Sequence, residues 1–179
     1  MREPAGSNRF IAYIAANKWM ALAIVIVVLL RFSFIGIMGA MPQDAYYFFY
    51  GQHFALSYFD HPPAIAWILR GFTDVLGRHV YVIKLADTLV TIGTLLAFYR
   101  LARYFLPLER SWNALLLMSA TLMVTILSLV STPDVPLLLF WTLSLITVYK
   151  AVFEGRKAYW IWAGIAMGLT FDSKYTAIF

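Results

Sequence analysis

Asp44, Asp60, His61, Asp134 and Lys174 are ionisable residues in a chain with little charge, and each has a chemistry to offer. A carboxylate can take the proton of an attacking hydroxyl, carboxylate and imidazole together suit a divalent cation, and a lysine ammonium suits a phosphate. Each also has an ordinary structural use. Asp44 follows Pro42 at a predicted helix start, so catalytic base, metal ligand and helix cap all remain open for it. Asp60-His61-Pro62-Pro63 is a stiffened turn that either aims a carboxylate and an imidazole at one point or simply starts a helix. Asp134, in Ser131-Thr132-Pro133-Asp134-Val135-Pro136, is again a cap or a site acid, and an acid so close to hydrocarbon needs water or a partner. Lys174 binds phosphate, snorkels to an interface, or pairs with Asp172. Arg31, Lys84 and Asp87 fall inside apolar runs and read as structural first, paired as Arg31–Asp87 or, three apart on one helix, Lys84–Asp87.

The elements that must position these residues are set by composition. Of 179 residues, 62% are hydrophobic and only 13% charged, with a mean hydropathy of +0.75. Soluble domains are about 45–50% apolar, so a bilayer is the natural place for the excess. The net charge of +5 does not point to nucleic acid, because the Lys and Arg residues flank apolar runs. With no Cys there are no disulfides or thiolate sites. The sequence contains no Gly-rich phosphate loop, no His-Glu-x-x-His and no Gly-x-Ser-x-Gly. The expected fold is all-α: a polytopic transmembrane bundle of about five spans, over residues 19–41, 80–99, 112–130, 135–153 and 159–179. The last stretch has no closing loop, as in the front part of a longer protein.

Basic residues orient the bundle. Arg2, Arg9 and Lys18, then Arg100, Arg103 and Arg110, then Lys150, Arg156 and Lys157 share one side if all five spans form. That side is expected to be cytoplasmic, together with the N-terminus. Asp44, Asp60, His61, Asp134 and Lys174 then converge on the extracytoplasmic face. The loop over residues 42–79 is expected to hold two short amphipathic helices lying in the membrane interface. One begins near Pro42 and carries Tyr46, Tyr50 and Phe54 at helical spacing; the other begins after Pro63, carries the stripe Ile65, Ile68, Leu69, Phe72 and Leu76, and ends at Gly77.

Pro42-Gln43-Asp44-Ala45-Tyr46-Tyr47, Leu56-Ser57-Tyr58-Phe59-Asp60-His61-Pro62-Pro63, Ser131-Thr132-Pro133-Asp134-Val135-Pro136 and Ser173-Lys174-Tyr175-Thr176 occur in that order. Together they resemble GT-C glycosyltransferases, in the branch of bacterial relatives of dolichyl-phosphate-mannose protein mannosyltransferases and lipid A aminoarabinose transferases. The resemblance implies transfer of a sugar from a polyprenyl-phosphate donor to an extracytoplasmic acceptor, with inversion. The acceptor would be a protein, an envelope glycan or a lipid, and the location a bacterial inner membrane in contact with membrane lipids. It assigns Asp44 and Asp134 to the acidic side of the site and Lys174 to the donor phosphate; outside the resemblance, Arg70 and Arg78 are weaker candidates for the same phosphate. Asp60 and His61 would bind a divalent metal or order the loop. Many members have Asp-Glu where this chain has Gln43-Asp44, and family members run to roughly three times this length. The alternatives are a non-catalytic membrane protein, such as a lipid transporter or assembly subunit, and an inactive fragment of the enzyme.

Overall fold

The computed structural model describes residues 18–178, with part of the side chains in the first helix outside that description. The chain divides into two compact units, Met1–Met38 and Gly39–Phe179. In the first unit, α1 (Lys18–Ile37) is 20 residues long and stops four residues short of the expected end of the first span. The side chain of Arg31 and the segment with Arg2 and Arg9 lie outside the described residues, and so does the expected Arg31–Asp87 pair.

The second unit is helical throughout its described elements. It comprises α2 (Pro42–Gln52), α3 (Ala64–Leu76), α4 (Val80–Phe105), α5 (Leu108–Ser119), α6 (Leu122–Leu127), α7 (Asp134–Val152), α8 (Tyr159–Phe171) and a short 3-10 helix, Tyr175–Ile178. Among the described residues, α4 and α7 are the two helices long and apolar enough to cross a membrane. They run parallel. Thr88 Oγ1 near the start of α4 donates to the Ser128 carbonyl just before α7 (2.7 Å), and Tyr104 near the end of α4 stacks on Tyr149 near the end of α7 (4.2 Å between centroids). Helix α8 returns antiparallel to α7: Lys150 Nζ lies 3.2 Å from Tyr159 Oη at one end, and Lys174 reaches Asp134 at the other.

Two of the expected spans differ from what forms. Residues 112–130 do not make one helix. They break between α5 and α6, where Ser119 Oγ turns back to the Leu116 carbonyl and Thr121 Oγ1 to that of Met118. Thr121 then caps α6 by accepting the Val124 N–H. Local bonding by Ser and Thr hydroxyls offers the backbone an alternative to a continuous helix, and hydropathy alone does not register it. The fifth stretch is helical for 13 residues only, about 20 Å at 1.5 Å per residue, against a hydrocarbon core of about 30 Å. Beyond Phe171 the chain turns so that Ser173 Oγ bonds the Leu169 carbonyl (2.7 Å).

The two short helices form where expected, but the stripe on α3 does not face outward. Ile65 and Leu69 are fully buried, Ile68 and Phe72 pack on them, and Leu76 alone is exposed. They share a core with Tyr47 of α2, Ile83 and Ala86 of α4, Leu127 and Val135. Helices α2 and α3 approach closely at Gly51, where a Cβ would lie 2.9 Å from the Ala66 carbonyl oxygen. Gly77 ends α3 at φ +92°, a conformation that favours glycine.

Candidate active site

Two acid–lysine pairs form at the end of the unit where α4 and α7 begin. In the first, Asp44 and Lys84 form an ion pair with both side chains fully buried. Asp44 is the third residue of α2, and its carboxylate closes that helix end by accepting the Met41 N–H (2.6 Å). Its other oxygen accepts the Ser131 N–H (2.9 Å). Lys84 Nζ donates in addition to the Leu129 carbonyl (2.6 Å). Asp87, one turn along α4, accepts from Ser131 Oγ (2.6 Å). Three ionisable side chains from α2 and α4 therefore grip residues 129–131, the segment that leads into α7. Lys84 pairs with Asp44 rather than with Asp87. Burying two charges is tolerable only where nearly every donor and acceptor is met, as here.

The second pair is open. Lys174 Nζ lies 2.8 and 3.1 Å from the two oxygens of Asp134, with side-chain exposures of 33% and 26%. Asp134 opens α7, where the helix dipole favours a carboxylate. Lys174 follows the end of α8, so the pair closes the same end of the α7–α8 hairpin. Asp172 makes no pair with Lys174; its carbonyl accepts the Ala64 N–H (3.1 Å).

Asp60 and His61 belong to the same end. The Ala64–Asp172 bond and a 3.4 Å contact between Ser57 Oγ and Tyr175 Oη tie their loop to the Lys174 segment. Tyr46 and Tyr50, one turn apart on α2, both donate to the Asp60 carboxylate, Tyr50 at 2.6 Å. These hydroxyls hold the Asp60 carboxyl below its ordinary range and raise both phenols, whose largest cause is the same bond. The neighbouring Tyr47 phenol is pushed up to about 12, chiefly by burial and further by the charges of Tyr46, Asp60 and Asp134. Its ring lies 5.7 Å from that of His61.

Asp60 and His61 do not by themselves make a metal centre. His61 Nε2 is 3.9 Å from Asp60 Oδ2, both carboxylate oxygens already accept phenol hydrogens, and the described residues contain no group of three His, Asp or Glu suited to a metal ion. Two protein ligands fall short of an all-protein zinc or calcium site, whereas a magnesium ion takes as few as one carboxylate when a substrate phosphate and waters complete its shell. Arg70 is engaged elsewhere: it pairs with Asp74 (3.3 Å), donates to the Gly51 carbonyl (3.4 Å) and lies over the Phe54 ring (5.4 Å). Arg78 is exposed in the connection between α3 and α4.

The sequence reading missed the Tyr46–Asp60–Tyr50 cluster and the role of Ser131. The i, i+4 spacing of the tyrosines was a usable signal, because it puts both hydroxyls on one face. Nothing local to Ser131 announced its partners, which lie 44 and 87 residues away.

Residues 60–179 match the family described as dolichyl-phosphate-mannose-protein mannosyltransferase. Lipid A galacturonosyltransferase RgtD of Rhizobium johnstonii is 28% identical over 139 residues, covering 76% of this chain and 29% of that protein. Putative mannosyltransferase YycA of Bacillus subtilis is 23% identical over 148 residues, covering 82% of this chain and 22% of that protein. The chain thus spans less than a third of the length of these relatives. No solved structure matches. The family match takes in the Asp60-His61 turn, the Asp134–Lys174 pair and every helix from α3 onward, and the chain belongs to the dolichyl-phosphate-mannose-protein mannosyltransferase family, a family of membrane glycosyltransferases.

Proposed function

We propose that this chain forms the donor-phosphate half of a membrane glycosyltransferase site, in which Lys174 holds the phosphate of a polyprenyl-phosphate sugar and Asp134 serves the acceptor. The observation that carries this reading is the half-exposed Asp134–Lys174 pair, set at one end of the apolar helices beside Asp60 and His61. A lysine bound only to one carboxylate at a water-facing helix end can exchange that partner for a phosphate. Its departure leaves Asp134 free to accept a proton. The acceptor hydroxyl oxygen attacks the anomeric carbon, its proton passes to Asp134, and the bond from carbon to phosphate oxygen breaks with its electron pair on the phosphate. Lys174 stabilises that developing charge. A single displacement inverts the anomeric centre.

Asp44 has a different part in this reading. Its carboxylate is fully buried and bonded to Lys84, Met41 and Ser131. Such a group holds the entrance to α7, with three acceptor sites in use and no exposed surface to meet a substrate. Asp60, kept ionised by two tyrosines, orders the loop beside the site. Arg78, exposed between α3 and α4, remains a candidate for a second phosphate contact, whereas Arg70 has its own partners. The basic end, with Arg100, Arg103, Arg110, Lys150, Arg156 and Lys157, would face the cytoplasm and the Asp134 end the extracytoplasmic side. The acceptor would be an envelope lipid, glycan or protein.

A second reading has one specific observation behind it. Gln43, exposed beside Asp44, carries no ionisable proton acceptor where many family members have an acid. A chain that binds the lipid phosphate without transferring the sugar would fit this. Equilibrium binding of a polyprenyl phosphate to the detergent-purified chain tests what the two readings share. Lys174→Met is expected to weaken binding about tenfold or more, the worth of a charge-assisted hydrogen bond. Unchanged affinity in that variant would remove Lys174 from the site. Transfer of radiolabelled sugar from the same lipid then separates the readings, since binding without transfer selects the second.

A further inference from the structure

A groove to which the proposed transfer assigns no part runs along the α7–α8 hairpin. It has a volume of about 390 Å³ and is lined by Phe140, Leu143 and Thr147 of α7 and, among others, Trp162, Ile165 and Leu169 of α8. Tyr159 closes its lower end. There the cations gather: Lys150 Nζ lies 4.6 Å from the Tyr159 ring centroid and the Arg156 guanidinium 5.9 Å from it. Lys157 adjoins them, and the acid of this corner, Glu154, pairs with Arg156 at 3.0 Å. Lys150 and Arg156 thus flank the tyrosine at one end of the groove, against the single carboxylate of Glu154.

The dimensions narrow the choice of occupant. Tyr159 to Leu169 is about 15 Å of helix, half of a hydrocarbon core of about 30 Å. The groove therefore matches the length of the acyl region of one leaflet, and in a bilayer its charged end would fall at the level of that leaflet's phosphates. We propose that the α7–α8 groove is a binding site for an anionic phospholipid, with an acyl chain along Leu143, Trp162 and Ile165 and the phosphate on Lys150 and Arg156. Charge complementarity carries the choice: an apolar protein helix would leave the excess cations unmatched, whereas an anionic headgroup matches them. The groove's apolar end reaches Leu169, near Lys174, but its headgroup contacts lie at the other end, about 24 Å along α7 from Asp134 to Lys150, and these contacts are independent of the donor reading.

Trp162 provides the readout, since it lines the groove. The chain is reconstituted in phosphatidylcholine vesicles containing a minor fraction of either brominated phosphatidylglycerol or brominated phosphatidylcholine. Quenching at Trp162 is isolated as the difference between the chain and its Trp162→Phe variant. The expected result is stronger quenching by the anionic lipid, with a preference on the order of tenfold for two cations near the phosphate. Lys150→Gln with Arg156→Gln is expected to abolish the preference while quenching by phosphatidylcholine persists, which also shows that the variant has folded. Lys174→Met is expected to leave the preference intact, so failure of the donor reading and failure of this one are separable. Equal quenching by the two lipids would overturn the proposal in favour of an ordinary lipid-facing surface. Absence of Trp162-specific quenching by either would overturn it in favour of a protein segment or second copy covering the groove.

Discussion

The two acid–lysine pairs each join residues 40 positions apart, yet one is fully buried and the other a quarter to a third exposed. Asp44–Lys84 is surrounded by further partners: two backbone N–H groups on the acid and a carbonyl on the lysine. Among the described residues, the Asp134 and Lys174 side chains bond only each other. The same two residue types therefore do opposite work. A pair whose hydrogen bonds are all used inside the protein fixes geometry, and a pair that reaches water can change partners. Burial and saturation, not residue identity, separate structure from chemistry here.

The largest expected effect comes from breaking the closed pair. Lys84→Met leaves Asp44 charged and buried without its counterion, and the cost is about 3–5 kcal/mol in unfolding measured in detergent. Adding Asp44→Asn to that variant is expected to recover part of the loss, because the uncompensated charge is gone. Losses of the Lys84→Met and Asp44→Asn single variants that simply add in the double variant would show that the two residues are not coupled. Breaking the open pair has the reverse profile. Asp134→Asn is expected to change stability by about 1 kcal/mol or less, as for partly exposed ion pairs, while lowering sugar transfer by about 100-fold or more. Retained transfer in that variant would remove Asp134 as the proton acceptor.

The tyrosine cluster gives smaller, pH-dependent effects. Replacing Tyr46 and Tyr50 by Phe is expected to raise the Asp60 pKa toward the ordinary value of about 3.9, followed by carboxyl carbon NMR. In the intact chain the lowered Asp60 pKa supports the fold above the unfolded value, and this support is lost as pH falls through the folded one. Tyr47 works in the opposite direction. Its folded pKa of about 12 lies above the ordinary phenol value of about 10, so its contribution is complete below 10 and disappears as pH rises through 12. Phenolate absorbance should show a late-ionising group that includes Tyr46, Tyr47 and Tyr50, and Tyr47→Phe should remove from it a component near that upper limit. The smallest effect belongs to Arg70→Gln, which removes an exposed i, i+4 pair with Asp74 and is expected to shift stability by under about 1 kcal/mol. Its affinity for a polyprenyl phosphate should not change.

Much of this arrangement was legible in the sequence, for identifiable reasons. Helix α3 declared itself through Pro62-Pro63, a five-residue apolar stripe and Gly77, three signals that agree on one element. Helix α7 was legible from Pro133, Pro136 and an unbroken apolar run. The break at Ala120–Thr121 was not, because hydropathy counts Thr and Ser as mildly polar and ignores where their hydroxyls bond. The α3 stripe has the same sequence pattern whether it faces lipid or protein, and only the packing of Ile65 and Leu69 on Tyr47 and Ile83 decides the matter. Topology alone placed Asp44 and Asp134 at one end, and the Asp44–Ser131 bond puts them there. What topology could not supply was that Lys84 reaches Asp44, since a lysine on a helix announces its charge and not its direction.

The contrast between a closed pair and an open one can be measured with single thiols, because the chain has no cysteine of its own. Asp134→Cys and Ser131→Cys place a thiol at the open pair and in the closed grip, three residues apart. Rapid reaction of a water-soluble maleimide at position 134, protection at position 131, and slowing at 134 when polyprenyl phosphate is added are the expected results. Equal rates at the two positions, or a rate at 134 indifferent to the lipid, would contradict the assignment of Asp134 and Lys174 to the donor site.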